Sequence, residues 1–273
     1  MLSLNTNIPS LFGANNFNQT QNRLDDVTQM LSSGKRILSA KDDPAGVGIV
    51  STMKTQKMSY DVVTKNIDGG LSLLNVASTA LSSQQGILTE LKGLATQAAS
   101  GLLTADQRSA VQAQFVELQA QLDNVADEAT LFGQNLTGAA AADVEIQSGI
   151  NSGNKFTLTA SASDGATLGA DAATLNLNTV AGAEAAMTAL DLAVGTVAVS
   201  QSTIGSQQSG LESLQKLAEN TSINIESAVS RIEDADIPKL SAELAELQIK
   251  MQIQTQMLSI TNSMPQMLLG LLR

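Results

Sequence analysis

The sequence predicts a mainly α fold: a long antiparallel helical hairpin or coiled coil of paired termini, plus a helical rod domain with a small β-hairpin region. Three observations predict it. Apolar residues recur at three- and four-residue steps over most of the chain, the period of one helix face. Aromatic residues are only 2% of the 273 residues. Bulk therefore comes from Leu, Ile, Val, Met and Ala, which suit long helices packed side by side. One segment, 136–182, lacks the helical period and is rich in Ala, Gly, Thr, Ser and Asn.

Taken in order, the stretch from Met1 to Gly13 contains Pro9 and is expected to be an extended lead-in. It has no basic region followed by an apolar run, so no cleavable secretory signal is expected. Leu24, Val27 and Leu31 then step by three and four. Pro44 follows Asp42-Asp43, and Pro238 follows Asp236-Ile237. Proline lacks the N–H a helix interior needs, and aspartate caps helix starts, so both places are expected to break or bend the chain. The expected domains follow: a paired terminal coiled-coil inner domain at 1–43 and 237–273, a helical rod domain at 44–136 and 183–236, and a short, surface-exposed β-rich insert at 137–182.

Within the rod, Ile67, Leu71, Leu74, Leu81, Leu88 and Ala95 hold one face. Val111, Phe115, Leu118, Leu122, Val125 and Ala129 repeat the step. Leu190, Val194, Val197, Ile204, Leu211, Leu214, Ala218, Ile225 and Ile232 do the same, with Gln201 and Gln208 filling gaps in the stripe. In the insert, Val144 and Ile146 alternate with polar residues, as do Phe156, Leu158 and Ala160, and the turn formers Ser148–Asn154 lie between them. That is a β-hairpin pattern. The apolar content of Ser161–Asn178 is too low for a separate core.

The last segment carries two stripes. Ile237, Leu240, Leu244, Leu247 and Met251 form one; Ile249, Ile253, Met257, Ile260, Met264 and Met267 form a second on an adjacent face. A helix apolar on two sides needs cover on both. About 35 residues make a helix roughly 50 Å long, more than one short chain can wrap. Intermolecular coiled-coil packing is the expected solution. Pro265 is expected to kink or fray the last turns. The candidate packing residues are Leu24, Val27, Leu31, Leu240, Leu244, Leu247, Met251, Ile253, Met257, Ile260 and Met264.

Composition narrows the function. There is no Cys, His or Trp, so the usual structural zinc sites and Ser-His or Cys-His nucleophile pairs cannot be built. Asp42-Asp43 sit beside a cap and Glu243/Glu246 on a helix surface, and neither defines a convergent pocket. No catalytic residue, metal or cofactor is expected, and the chain reads as a structural subunit rather than an enzyme. Net charge is +2 over 1–41, +1 over 237–273 and −14 between them. An acidic middle argues against nucleic-acid binding. It fits a solvated outer surface with nearly neutral ends free to associate. No run of about 18 apolar residues exists, so no membrane insertion is expected.

Several short motifs now line up. Leu4-Asn5-Thr6-Asn7 opens the chain. Leu31-Ser32-Ser33-Gly34-Lys35-Arg36-Ile37 leads into Ser39-Ala40-Lys41-Asp42-Asp43-Pro44-Ala45-Gly46. Asn66-Ile67-Asp68-Gly69-Gly70, Ser230-Arg231-Ile232-Glu233-Asp234-Ala235-Asp236 and a closing Leu271-Leu272-Arg273 follow. In this order and spacing the chain closely resembles bacterial flagellin, over roughly 1–140 and 185–273, with a minimal central region.

The resemblance implies a subunit that polymerises into the flagellar filament for swimming motility, a secreted, extracellular homopolymer. The termini would form the inner coiled-coil tube, the long helices a layer around it, and the central segment would face outward. It implies export by the flagellar type III apparatus, an export chaperone holding the C-terminal helix, and hook-associated junction and cap proteins as partners. A hook–filament junction protein, with similar ends, is the alternative; a secondary adhesin role through 139–182 is another. The zinc protease inserted in some flagellins is excluded by the lack of His. In flagellins that activate Toll-like receptor 5, an Arg precedes a Leu by four residues and a Glu stands on the next helix. Here Glu90 stands where that Arg is expected, Leu94 matches, and Gln114 replaces the Glu. A charge reversal of that kind implies weak activation.

Overall fold

The computed structural model describes residues 7–171 and 174–271. The Leu4–Thr6 part of the opening motif and the final Leu272-Arg273 lie outside the described residues. In chain order the elements are α1 (Ile8–Ser33), α2 (Pro44–Ala98), α3 (Ala105–Glu128), β1 (Thr130–Leu131), β2 (Gln134–Asn135), β3 (Val144–Gln147), β4 (Lys155–Leu158), α4 (Gly165–Leu168), α5 (Val180–Glu233) and α6 (Ile237–Leu271). The mainly α fold with small antiparallel strand pairs is the one expected.

The helix starts follow from their caps. Asp43 Oδ1 accepts from Gly46 N at 2.8 Å and Asp236 Oδ1 from Lys239 N at 3.1 Å, so Pro44 and Pro238 sit in first turns, where a missing N–H costs nothing. Thr104 and Gln107 form a reciprocal capping box at the start of α3. One proline expectation needs correction. Pro9 is not in an extended lead-in: Asn7 caps α1 by accepting from Ser10 N, and Pro9 lies in the first turn. Pro265 lies within α6, which runs to Leu271. The carbonyl that residue 265 would have bonded is that of Thr261, and it accepts instead from Asn7 Nδ2 at 2.9 Å.

The chain divides into two compact units, 1–57 with 224–273 and 58–223, and the divisions fall inside α2 and α5. In the first unit α1 and α6 pack antiparallel. Arg23 pairs with Glu243, Thr20 with Gln254 and Ser10 with Asn262, so partners rise in one helix as they fall in the other, and the cap residue Asn7 bonds Thr261 beside the last of them. Val27, Ile37, Val50, Val229 and Leu247 are its buried apolar residues among those described.

The second unit holds one continuous core. The predicted faces are in it: Ile67, Leu74, Leu81, Leu88 and Ala95 from α2, Val111, Phe115 and Leu122 from α3, and Leu190, Val197, Ile204, Leu211 and Ala218 from α5. At its edge a polar ladder sets the register of α2 against α5: Asp61, Asp68 and Asn75 bond Ser222, Gln215 and Gln208. Both sets step by seven residues, the repeat that keeps one helix face toward its neighbour. Gln201 extends the ladder to Gln85.

The β3–β4 hairpin forms as predicted, with Ile146 opposite Phe156. That pair rests where α2 and α5 carry glycine. A Cβ on Gly70 would stand 2.1 Å from Ile146 Cδ1, and one on Gly210 would stand 3.2 Å from Phe156 Cζ. A second, two-residue hairpin, β1–β2, turns at Phe132-Gly133, both with positive φ. The helical period gives no sign of it.

The insert is less exposed than expected. Leu158, Leu168, Ala170, Leu175 and Leu177 join the common core. Buried side chains bind its backbone: Gln84 Nε2 donates to Ser163 O, Ser163 Oγ donates to Gln84 Oε1, and Gln119 Nε2 donates to Ala170 O. A segment too poor in apolar residues for its own core shares that of its neighbours, and these bonds satisfy its backbone as it does so.

One helix departs from the membrane expectation. By length and composition α5 is apolar enough to cross a bilayer, with a window of mean hydropathy 1.3. Its apolar surplus is mostly alanine and valine, and Ala183, Ala186, Ala193 and Val197 lie in the core.

Candidate assembly surfaces

The residues expected to pack at the ends fall into two groups. Val27 and Leu247 are buried, and Leu24, Leu31, Leu240, Leu244 and Met251 are half-buried, on the faces α1 and α6 turn toward each other. The second stripe is left more than half exposed by the described residues. Ile249, Ile253, Met257, Ile260 and Met264 are each 55–59% exposed. On α1, Ile8, Leu11 and Phe12 are more than half exposed as well. Such a row of large apolar side chains marks an interaction surface rather than scattered surface residues. Burying what remains exposed would stabilise by roughly 1 kcal/mol per residue. Met267 belongs to this stripe by sequence, but its side chain lies outside the described residues.

Close to this helix pair is a clasp that periodicity could not reveal. Glu233, its side chain 12% exposed, takes Lys35 at 2.8 Å and Lys54 at 2.5 Å. Around it, Arg36 N donates to Glu233 O, Arg36 Nη2 to Ile232 O and Ala235 N to Gly34 O. The connector after α1 is thereby tied to the one before α6. Lys35 beside it, then Lys54, holds the Glu233 carboxyl below the usual carboxylate range. The same bond raises the Lys35 ammonium above its ordinary value. Both residues stand inside the motifs quoted above, which signals importance but not pairing.

The three receptor-related positions come together. Glu90 and Leu94 on α2 and Gln114 on α3 line one shallow groove of about 560 Å³, with Gly93, Glu117 and Leu118. Glu90 and Gln114 are exposed and Leu94 is half-buried. The groove therefore presents two carboxylates, Glu90 and Glu117, around a leucine.

A helical chain with uncovered apolar stripes at its paired ends is a subunit built for self-assembly. Residues 4–142 match the bacterial flagellin N-terminal helical region, and residues 187–272 the bacterial flagellin C-terminal helical region. A flagellin of Halalkalibacterium halodurans is 30% identical over 270 residues, spanning 99% of both chains. One of Listeria monocytogenes is 30% identical over 286 residues, again spanning 99% of both. Bacillus cereus flagellin, a solved structure, is similar with a TM-score of 0.50 and 31% identity, covering 56% of this chain and 88% of that one. The chain belongs to the bacterial flagellin family and is a structural subunit of the flagellar filament. The full-length likeness to flagellins favours this over the junction-protein alternative.

Proposed function

We propose that assembly of the filament works by burying the second face of α6, and the outer face of α1, between copies of this chain. The observation that carries it is the five-residue stripe Ile249–Met264, each residue more than half exposed while the other apolar stripe of the same helix is packed. Where contacts between unlike surfaces do not close into a ring, each added copy presents the same face to the next and a helical polymer grows. On this reading 1–43 and 237–273 form the inner layer, 44–136 and 183–236 the layer around it, and 137–182 its outer side. The role is structural, with no catalysis.

An apolar helix face is costly to leave uncovered before assembly. This supports an export chaperone on α6, passage through the flagellar type III apparatus, and junction and cap proteins covering the ends of the polymer. In the double variant Ile253→Asp/Ile260→Asp, two charges would have to be buried without partners. The account expects secondary structure to remain and seeded polymerisation to be lost, read by sedimentation. Filaments forming at the unmodified rate would reject it.

The groove at Glu90, Leu94 and Gln114 supports a second reading, that this flagellin activates Toll-like receptor 5 poorly. A carboxylate at Glu90 cannot supply the bidentate donor of an arginine. Reporter cells given depolymerised protein should respond weakly, and Glu90→Arg/Gln114→Glu should raise the response. Full potency of the unmodified chain would sink the idea.

A further inference from the structure

Two of the five residues on the uncovered α6 stripe are methionines, where isoleucine serves at the other three. The chain has no Cys, His or Trp and a single Tyr. The thioethers of its nine Met are therefore the groups a two-electron oxidant meets first. Met30, Met53, Met187 and Met251 are half-buried against their own chain. Met257 and Met264 are exposed, seven residues apart, and so share a helix face with Ile253 and Ile260. Among the described residues the other exposed methionine is Met58, on α2.

We propose that Met257 and Met264 are a modification site through which hydrogen peroxide, or a related two-electron oxygen donor, controls whether the subunit can join a polymer. The proposal rests on the reading that assembly buries this stripe. In the step itself a lone pair on the methionine Sδ attacks one peroxide oxygen and the S–O bond forms as the O–O bond breaks. The proton of the transferred hydroxyl passes to the departing hydroxide, which leaves as water. Sulfur loses two electrons and peroxide gains them. The product, methionine sulfoxide, turns a pliable apolar side chain into a polar one. On a lone subunit water solvates the new oxygen. Between copies it has to be buried among isoleucines that offer it no donor. Subunits that have met oxidant are thereby kept out of the polymer, while subunits already in it have their sulfurs covered. The block is reversible, because sulfoxide can be reduced back enzymatically.

The test uses the full chain. Monomer is treated with peroxide, the oxidised residues are mapped by peptide mass spectrometry, and elongation from seeds is timed beside untreated protein. The proposal expects oxygen on Met257 and Met264 and elongation slowed by about tenfold or more. A Met257→Leu/Met264→Leu variant given the same treatment should elongate as it does untreated. Filaments treated with peroxide should carry less oxygen at Met257 and Met264 than free monomer does. Oxidised monomer elongating normally, or a treated variant slowed as much as the treated parent, would overturn the proposal. So would equal oxidation of the two residues in monomer and filament, a result that stands even if the leucine variant does not fold. Untreated protein that never elongates would reject the filament reading beneath it.

Discussion

Gly70 and Gly48 lie on the same helix, α2, yet they do different things. A Cβ on Gly48 would meet nothing within 4 Å, while one on Gly70 would collide with Ile146 and press on Leu211 at 3.2 Å. Glycine costs a helix interior about 1 kcal/mol relative to alanine. Gly48→Ala should therefore stabilise by about 0.5–1 kcal/mol. Gly70→Ala should destabilise by about 1–2 kcal/mol net, since overpacking outweighs the gain. Denaturant titration of the two variants checks the opposite signs. The sequence shows both glycines and the Asn66–Gly70 motif, but not which one faces a hairpin 76 positions away, because that contact is made only in the fold. The caps were different: Asp43 and Asp236 bond within three residues, so their roles were legible from spacing alone.

At the scale of elements, the faces of α2, α3 and α5 were legible because burial along a helix has a fixed period. The β3–β4 hairpin was legible for the same reason, with period two. The insert around it was not. Its place over the helices depends on single polar side chains, such as Gln84, that bind its backbone from far away in sequence. On a helix, a buried glutamine looks like any other polar residue. Gln84→Leu should leave the Ser163 hydroxyl and carbonyl without their glutamine partner, at a cost of about 1–3 kcal/mol. The loss should appear as faster amide hydrogen exchange across 160–170, with the α2 and α5 cores still protected. Unchanged exchange in that segment would mean that Leu158, Leu168 and Leu177 hold it alone. The two stripes of α6 were equally plain in the sequence. What the sequence could not say was which stripe its own chain covers, and the structure gives that one to α1.

On the scale of the molecule, the Glu233 clasp makes the terminal helix pair sensitive to pH. Glu233 titrates below its unfolded value, so its contribution is complete above about pH 4.3 and is lost as pH falls through the folded value. Lys35 titrates above its unfolded value, so its share is complete below about pH 10.4 and fades only as pH rises beyond that. The clasp therefore holds across neutral pH and opens on the acid side first. Glu233→Gln should flatten the fall in stability between about pH 5 and 3. Thermal melts of both proteins across that window test it, and identical slopes would assign the acid response elsewhere. All of this concerns one copy, whereas the central claim is about many: that the α6 face this chain leaves bare is the face other copies cover. Electron cryomicroscopy of seeded filaments measures that directly. The account predicts Ile253, Met257 and Ile260 in van der Waals contact with neighbouring copies. A filament in which those side chains face only water would contradict it.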